Sequence, residues 1–234
     1  RVVVTGMGAV TPLGLSVDSF WEGLVAGRSG IGPITLCDPS DFPCRIAGEV
    51  PGFDPEQFIA PKEVRRMARF TQLGIAATGM ALEDAGLDLE QEDRMRVGVL
   101  LGNGGTSFPT VEEQARVLVA KGGMRMSPFF VPMVLPNMAA GQISRTFGLR
   151  GYNNTVCTAC AASTQALGDA AEVIRRGAAE VMVAGGSEAG ISQIGLGGFC
   201  TMRALSTHND DPEGASRPFD AQRDGFVPAE GAAI

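Results

Sequence analysis

The sequence predicts an α/β fold in which a largely parallel sheet is covered by helices on both faces. Short apolar segments rich in β-branched residues alternate with longer segments whose apolar residues recur at spacings of three and four. This alternation is typical of parallel sheets, because each parallel connection needs a crossover that is usually a helix. Hydrophobic residues make up 44% of the 234 residues and charged residues 19%, which indicates a well-buried core.

The first predicted strand runs from Val2 to Val10. It is apolar, β-branched and bounded by glycines, as expected of a buried strand. Gly6 and Gly8 also match the start of a dinucleotide-binding turn, but Thr11 occupies the place of the third glycine. No strand ending in an acidic ribose ligand follows about 20 residues later. We therefore interpret the segment as a structural strand.

Helices are predicted where apolar residues recur at helical spacing. The first begins at a cap formed by Ser16 or Asp18 and ends at Gly27, and the longest runs from Pro61 to Gly86. The other predicted helices lie at Pro109–Ala120, in the proline-interrupted segment Ser127–Ser144, and after Cys160.

The remaining predicted strands are separated by segments rich in glycine, proline and aspartate. They lie at Arg45–Val50, Arg96–Leu101, Gly151–Val156, Glu180–Gly186 and Phe226–Ile234. Ile31–Phe58 is predicted as an irregular surface excursion that contains the first of these strands, and Gly195–Gly225 as a lid-like loop.

Cys160 is the candidate nucleophile, because it lies where an apolar strand turns into an amphipathic helix. The stretch NTVCTACAASTQALG, which spans positions 154–168, contains this junction. Unpaired backbone N–H groups and the positive end of a helix dipole favour an anion at such a place. The small residues Ala159, Ala161 and Ala162 leave room for an incoming acyl group.

Other interpretations of this cysteine are open. A free cysteine is usually an inert, buried residue. Cys157 and Cys160 also form a C-x-x-C pair, which is found in redox couples and in zinc sites. A zinc site lacks support, since no ligand-like spacing connects this pair with the remaining candidates, which are Cys37, Cys44, Cys200 and His208.

Lys62, Arg65 and Arg66 form a basic cluster in a chain whose net charge is −7. The cluster is either a solvated helix face or a surface that recruits an acidic partner. The glycine-rich segment Gly102–Ser107 follows a predicted strand, but it lacks the lysine of a phosphate-binding P-loop.

Six motifs distributed along the whole chain resemble the N-terminal half of a beta-ketoacyl-acyl carrier protein synthase, the elongating condensing enzyme of type II fatty-acid synthesis. They are RVVVTGMGAVTPLG, SPFFVPMVLPNMAAGQIS, TVCTACAAST, VMVAGGSEA, GGFCTMRALS and SRPFDAQRDGFVPAEGAA. The resemblance implies the first half of a thiolase-like fold, with a mixed, mostly parallel five-stranded sheet between helix layers. In that family the segment at Val2–Val10 is a central strand of the sheet.

The resemblance also implies a homodimeric enzyme without a metal or redox cofactor. Cys160 would accept an acyl group from an acyl carrier protein, and decarboxylation of the malonyl form of that carrier would give the carbanion that attacks the thioester. Backbone N–H groups, including that of Cys160, would hold the oxyanion.

The same resemblance implies two further sets of residues. A pocket for the acyl chain, near the partner subunit, would be lined by Gly104, Gly105, Phe130, Met133 and Phe199, with contributions from Phe129 and Met138. Gly105 departs from the family pattern, which has a bulky aliphatic residue there, and so predicts a roomier or differently closed pocket. The carrier-protein surface would contain Lys62, Arg65, Arg66, Arg125 and Arg203.

The composition argues against several classes of binding partner and compartment. A net charge of −7 argues against binding to nucleic acid or anionic membranes. An odd number of cysteines, five, favours a reducing cytoplasm over a disulfide framework. We expect no membrane span, and we expect the missing second half of the fold, with its two histidines, to be needed for condensation. The alternatives in function are a polyketide ketosynthase, its non-catalytic chain-length partner and a coenzyme A-dependent thiolase.

Overall fold

A five-stranded sheet forms the centre of the computed structural model, which describes all 234 residues. The strands of the whole chain are β1 (Ala9–Val10), β2 (Gly32–Pro33), β3 (Ile46–Ala47), β4 (Val97–Gly102), β5 (Asn153–Val156), β6 (Val181–Glu188) and β7 (Gly231–Ala233). The order in the main sheet is β1-β7-β6-β4-β5, while β2 and β3 pair separately. Because β7 alone runs against the other four strands, the predicted mixed and mostly parallel sheet is confirmed.

Eight α-helices surround this sheet: α1 (Val17–Val25), α2 (Pro61–Val64), α3 (Arg69–Asp84), α4 (Phe108–Lys121), α5 (Phe130–Val134), α6 (Met138–Phe147), α7 (Ala162–Arg175) and α8 (Gln193–Thr201). Short 3₁₀ turns lie at Pro55–Gln57, Gly123–Arg125 and Ala159–Ala161. No helix combines the length and apolar composition that crossing a membrane requires.

Strand β4 is buried along its whole length because helices cover both of its faces. Side chains alternate across a strand, so Val97, Val99 and Leu101 pack into the cluster that contains residues of α3 and α6. Leu100 points the other way, into the cluster formed with α7. The predicted arrangement of helices on both sheet faces is therefore confirmed.

The predicted strand Val2–Val10 is mostly wrong, because only Ala9 and Val10 form a strand. These two residues pair with β7, and Gly8 exchanges backbone hydrogen bonds with Ile234. Val4 is 79% exposed, although an apolar run predicts burial. Strand β1 is also an edge strand in this chain rather than a central one, since β7 is its only partner.

The predicted single helix Pro61–Gly86 is two helices, α2 and α3, with a turn at residues 65–68. Met67 and Ala68 turn into the core, with exposures of 4% and 2%. The side chain of Gln72 donates hydrogen bonds to the carbonyls of Val64 and Met67 at the two ends of this turn. The burial of Met67 and Ala68 and the hydrogen bonds from Gln72 together stabilise a turn where a continuous helix was predicted.

The predicted loop Gly195–Gly225 begins inside helix α8 instead. Three glycines within α8 conceal it from sequence analysis, because glycine disfavours helix formation. Ser192 caps the helix by accepting a hydrogen bond from the N–H of Gly195. A β-carbon at Gly195 would lie only 2.4 Å from the carbonyl oxygen of Gly190, so close packing requires glycine there.

Candidate active site at the carboxyl ends of the strands

Cys160 lies at the edge of the sheet where the parallel strands β4, β5 and β6 end, which is where α/β folds place their ligands. It follows the end of β5 by four residues and occupies the 3₁₀ turn Ala159–Ala161, which leads directly into α7. The sequence places it in the first turn of the α-helix, so the prediction is displaced by one short turn. The side chain of Cys160 is exposed and carries a free thiol.

The backbone at this turn is strained. Ala159 has a φ of 51°, in the left-handed region that costs a non-glycine residue about 1–2 kcal/mol. Such strain is found at functional sites, where the surrounding structure holds it in place. The N–H of Cys160 makes no hydrogen bond within the chain, which leaves it as a donor for an oxyanion.

Two glycines allow α7 to begin directly on the sheet. A β-carbon at Gly102 would lie 2.3 Å from the backbone of Ala162 and Ser163. A β-carbon at Gly186 would lie 1.9 Å from the Ser163 Oγ atom. Because the helix start rests on the ends of β4 and β6 at these two places, the turn that carries Cys160 has a fixed position relative to the sheet.

Asn103 connects the ends of three strands beneath the glycine-rich loop. It is buried, and its backbone N–H donates to the carbonyl of Val156 at 3.0 Å, at the end of β5. Its side-chain amide donates to the carbonyl of Ser187 in β6 at 2.8 Å. Its side-chain oxygen accepts a hydrogen bond from the N–H of Gly105 at 3.2 Å. Asn103 therefore fixes the base of the loop that approaches Cys160.

The loop brings four of the five predicted acyl-pocket residues into one connected region. Gly104 lies beside the nucleophile turn, where a β-carbon would be 3.9 Å from the carbonyl oxygen of Ala159. Thr106 donates a hydrogen bond of 2.5 Å to the carbonyl of Val134, which joins the loop to α5. Helix α5 carries the half-buried Phe130 and Met133.

Phe199 belongs to a separate aromatic pair. It lies on α8, and its ring packs edge to face against Phe226 with 5.3 Å between the centroids. Three surface clefts, of about 390, 650 and 480 Å³, contain none of the five predicted pocket residues. The assignment of these residues to an acyl pocket therefore stays a prediction.

The basic cluster is exposed, as the sequence predicts for a solvated or docking surface. Lys62 and Arg65 make no ion pair, whereas Arg66 pairs with Glu63 at 2.9 Å. The Arg66 guanidinium also lies 5.0 Å from the centroid of the Phe129 ring. A hydrogen bond from Arg145 to Glu63 lowers the pKa of the Glu63 carboxyl.

Arg125 is related to this cluster only through Phe129, which the Arg66 guanidinium contacts. It precedes Phe129 by four residues, which span at most about 14 Å of extended backbone. Arg203 follows α8 with a φ of 56° and, like Arg125, makes no ion pair. Arg66 is joined to Phe129 by a contact and Arg125 is joined to it by sequence alone, whereas neither links Arg203 to the cluster.

Two polar residues of this site, Asn103 and Glu188, were not predicted from the sequence. The Oε2 atom of Glu188 accepts a hydrogen bond of 2.7 Å from the N–H of Gly104. Burial raises the pKa of the Glu188 carboxyl, and backbone N–H groups of Gly104, Ala189 and Gly105 oppose that change. Their positions in the sequence could have indicated them, since both residues lie at the carboxyl ends of buried parallel strands.

Cysteine and acidic residues do not form a metal site in this structure. No group of three or more His, Cys, Asp or Glu side chains is arranged to hold a metal ion. Cys157 and Cys160 are both free and exposed.

Comparisons with known proteins agree with this geometry. A family model described as the N-terminal domain of beta-ketoacyl synthase matches residues 1–234. The chain is 47% identical to a 3-oxoacyl-[acyl-carrier-protein] synthase 2 from Synechocystis, over 100% of this chain and 56% of that relative. The chain thus spans little more than half the length of the relatives it matches.

Two solved structures share the fold. A beta-ketoacyl synthase from Burkholderia phymatum superposes with a TM-score of 0.87 and 34% identity, covering 100% of this chain and 57% of the other. The second is described as a type II polyketide acyl-carrier protein in complex with its ketosynthase bound to the hexaketide. It gives a TM-score of 0.79 and 28% identity, covering 100% of this chain and 60% of the other.

Proposed function

The chain belongs to the beta-ketoacyl synthase family, and on that basis we propose that it supplies the nucleophile of a condensing enzyme of fatty-acid synthesis. The observation that carries the proposal is the position of Cys160. It is an exposed thiol in a strained turn at the start of α7, with a free backbone N–H of its own. The relative from Synechocystis, named a 3-oxoacyl-[acyl-carrier-protein] synthase, supports the same reaction.

The first step of this reaction is acyl transfer. The Cys160 thiolate attacks the carbonyl carbon of an acyl thioester on the carrier protein, and the negative charge moves to the carbonyl oxygen. The N–H of Cys160 donates a hydrogen bond to this oxyanion. The tetrahedral intermediate then collapses, which breaks the bond to the carrier thiol and leaves the acyl group on Cys160.

The second step forms the new carbon–carbon bond. A malonyl group on the carrier protein loses carbon dioxide, and the electron pair left behind attacks the carbonyl carbon of the Cys160 thioester. The bond to the Cys160 sulfur breaks, which regenerates the thiolate and releases a beta-ketoacyl-carrier protein.

The carrier protein, in its acyl and malonyl forms, is the proposed partner of the basic residues Lys62, Arg65, Arg66, Arg125 and Arg203. Four of these five cations have no carboxylate partner within the chain, so their charge is available to an acidic protein. The solved ketosynthase complex with an acyl-carrier protein gives a precedent in a protein that shares this fold.

Two further features of the proposal concern assembly and location. We assign a homodimer, because large apolar side chains on and after α4 are open to solvent in the single chain, among them Val119 at 88% and Met124 at 99% exposure. We assign the cytoplasm, because all five cysteines are free thiols, which persist in a reducing compartment.

A polyketide ketosynthase is the second candidate, favoured by the 28% identity to the ketosynthase bound to a hexaketide. The non-catalytic chain-length partner has glutamine at the nucleophile position, so the presence of Cys160 argues against that role. A thiolase uses coenzyme A, and an acidic carrier protein suits the basic cluster better.

The test uses the full-length protein with an acyl-carrier protein and with the matching coenzyme A thioester. We expect a stable acyl adduct on Cys160, detected by mass spectrometry of proteolytic peptides, and faster transfer from the carrier protein. Cys160→Ala should abolish the adduct. Cys157→Ala is the matched control and should retain it, because Cys157 lies before the turn and away from the helix start. An adduct on Cys157, or condensation that survives Cys160→Ala, would refute the proposal.

A further inference from the structure

We propose that Glu188 is a positioning residue that holds the loop Asn103–Gly105 against the turn of the nucleophile Cys160. The inference rests on the proposed role of Cys160 and adds a residue to that site. Glu188 is the last residue of β6, and Gly104 lies two residues beyond the end of β4, its parallel neighbour in the sheet.

The contacts of Glu188 are concentrated on the loop. Its Oε2 atom accepts the 2.7 Å hydrogen bond from the N–H of Gly104. The Gly105 N–H donates to Asn103, whose side chain is itself bound to Ser187, the neighbour of Glu188. The end of β6 thus binds the loop at two points, Asn103 and Gly104.

Glu188 and Gly104 are also close-packed. A β-carbon at Gly104 would lie 2.8 Å from Glu188 Oε2, a distance that β-carbons in proteins do not adopt. The same β-carbon would lie 3.9 Å from the carbonyl oxygen of Ala159, the residue before Cys160. A side chain at Gly104 would therefore displace the Glu188 carboxylate from its present position.

Glu188 also lacks a basic side chain as its partner, although a buried structural carboxylate usually has one. No lysine or arginine pairs with it, although its burial disfavours the charged form. Its hydrogen-bond partner is the backbone N–H of Gly104 in the loop. An unpaired, partly buried carboxylate at the carboxyl ends of parallel strands is typical of a functional site.

The connection from Glu188 to the chemistry is a short chain of contacts. Glu188 binds the N–H of Gly104, the side of Gly104 that would carry a β-carbon faces the carbonyl of Ala159, and Ala159 has the strained backbone that precedes Cys160. An acyl group on Cys160 would meet this loop, so its position controls how the thioester carbonyl faces the N–H donors.

The first test measures the loop directly in the full-length protein, without requiring activity. Hydrogen exchange of the peptide that covers residues 103–107 should become about tenfold faster in Glu188→Ala, because the Gly104 N–H loses its acceptor. Glu188→Gln keeps one acceptor oxygen and should restore most of the protection. Exchange in the β4 peptide 97–101 should stay unchanged. Unchanged exchange at 103–107 in Glu188→Ala would overturn the proposal.

The second test is a double-mutant cycle on acylation of Cys160. Glu188→Ala should lower kcat for acyl transfer about tenfold with little change in KM, because the carrier surface is intact and only alignment is lost. Gly104→Ala should lower kcat in the wild-type background, and the factor by which it lowers kcat should be at least about threefold smaller in the Glu188→Ala background. Glu180→Ala, an exposed carboxylate at the other end of the strand region, is the control and should change neither quantity.

The outcomes separate this inference from the proposed function. The positioning role would be overturned if the effects of Glu188→Ala and Gly104→Ala on kcat were additive and KM rose by the same factor as kcat fell. That result would show that Glu188 acts only on stability. If carrier thioesters fail to acylate the wild-type protein, the proposed function fails, and the hydrogen-exchange result together with alkylation of Cys160 by iodoacetamide still decides whether Glu188 positions the loop.

Discussion

Gly104 and Gly105 are adjacent glycines with opposite surroundings. An added β-carbon at Gly104 would clash with Glu188, whereas an added β-carbon at Gly105 would have no atom within 4 Å. Neither glycine needs a positive φ, so the difference between them is one of space alone. The absent side chain at Gly105 therefore leaves room that another residue could occupy.

Gly105→Ile tests the prediction that this room belongs to the acyl pocket. The larger side chain fits the open space, and we expect it to displace the end of the acyl chain and shorten the preferred product. Each CH₂ group that loses its burial should reduce use of the longer substrate about fourfold, from about 0.8 kcal/mol per group. The measurement is the product profile across a series of acyl-carrier proteins.

Gly105→Ala is the matched control for this change. One methyl group in open space should leave the profile nearly unchanged. An identical chain-length profile in Gly105→Ile and the wild type would show that the loop does not bound the pocket.

Helix α2 gives the basic cluster its shape. The turn at residues 65–68 separates α2 from α3, so Arg65 and Arg66 lie at a corner and not along a helix face. Arg66 is held there by Glu63 and Phe129, while Lys62 and Arg65 have no such partner. The two unpaired cations are therefore the ones whose charge can be changed without breaking internal contacts.

Reversing the charge of Lys62 and Arg65 together should weaken use of the carrier protein. We expect KM for the acyl-carrier protein to rise roughly tenfold and its salt dependence to weaken, because steering depends on unscreened charge. Kinetics with a small thioester mimic should be unaffected. The comparison is a salt titration of kcat/KM with both substrates.

Arg28→Glu provides a control for net charge, since Arg28 is exposed, unpaired and lies after α1. It should leave use of the carrier protein unchanged. If the double variant impairs the mimic and the carrier protein equally, the cluster has a structural role instead.

Over the whole molecule, the ion pair with the longest sequence separation joins Arg69 at the start of α3 to Glu230 just before β7. The two side chains are 161 residues apart in sequence and form hydrogen bonds of 2.6 and 2.7 Å. Glu230, whose side chain is 1% exposed, also accepts from the N–H of Val50 at 2.9 Å. Three distant segments of the chain therefore depend on one carboxylate.

Glu230→Gln should reduce the free energy of unfolding by about 3 kcal/mol, because breaking a buried ion pair leaves the Arg69 charge without its partner. Urea unfolding followed by circular dichroism measures the change. Glu180→Gln, in the exposed pair with Arg96 at 3.4 Å, is the control and should cost less than about 0.5 kcal/mol. Equal losses in the two variants would contradict this account.

The sequence by itself determined the features that depend on neighbouring residues. Strands β4 and β6, helices α1 and α4, and the strand-to-helix turn at Cys160 were all predicted, because local periodicity and turn residues specify them. The mixed sheet between helix layers followed from the alternation of elements and from the family motifs.

Only the tertiary structure decided the features that depend on distant partners. Strand β1 shortened to two residues because pairing with β7 ends there, and α2 separated from α3 because Met67 and Ala68 turn into the core. Glu188 and Gly104 are 84 residues apart, and they meet because β4 and β6 pair in parallel and in register. The residues around Glu188 or Gly104 in the sequence do not predict this contact, since strand register is fixed by packing among segments that are far apart in the chain.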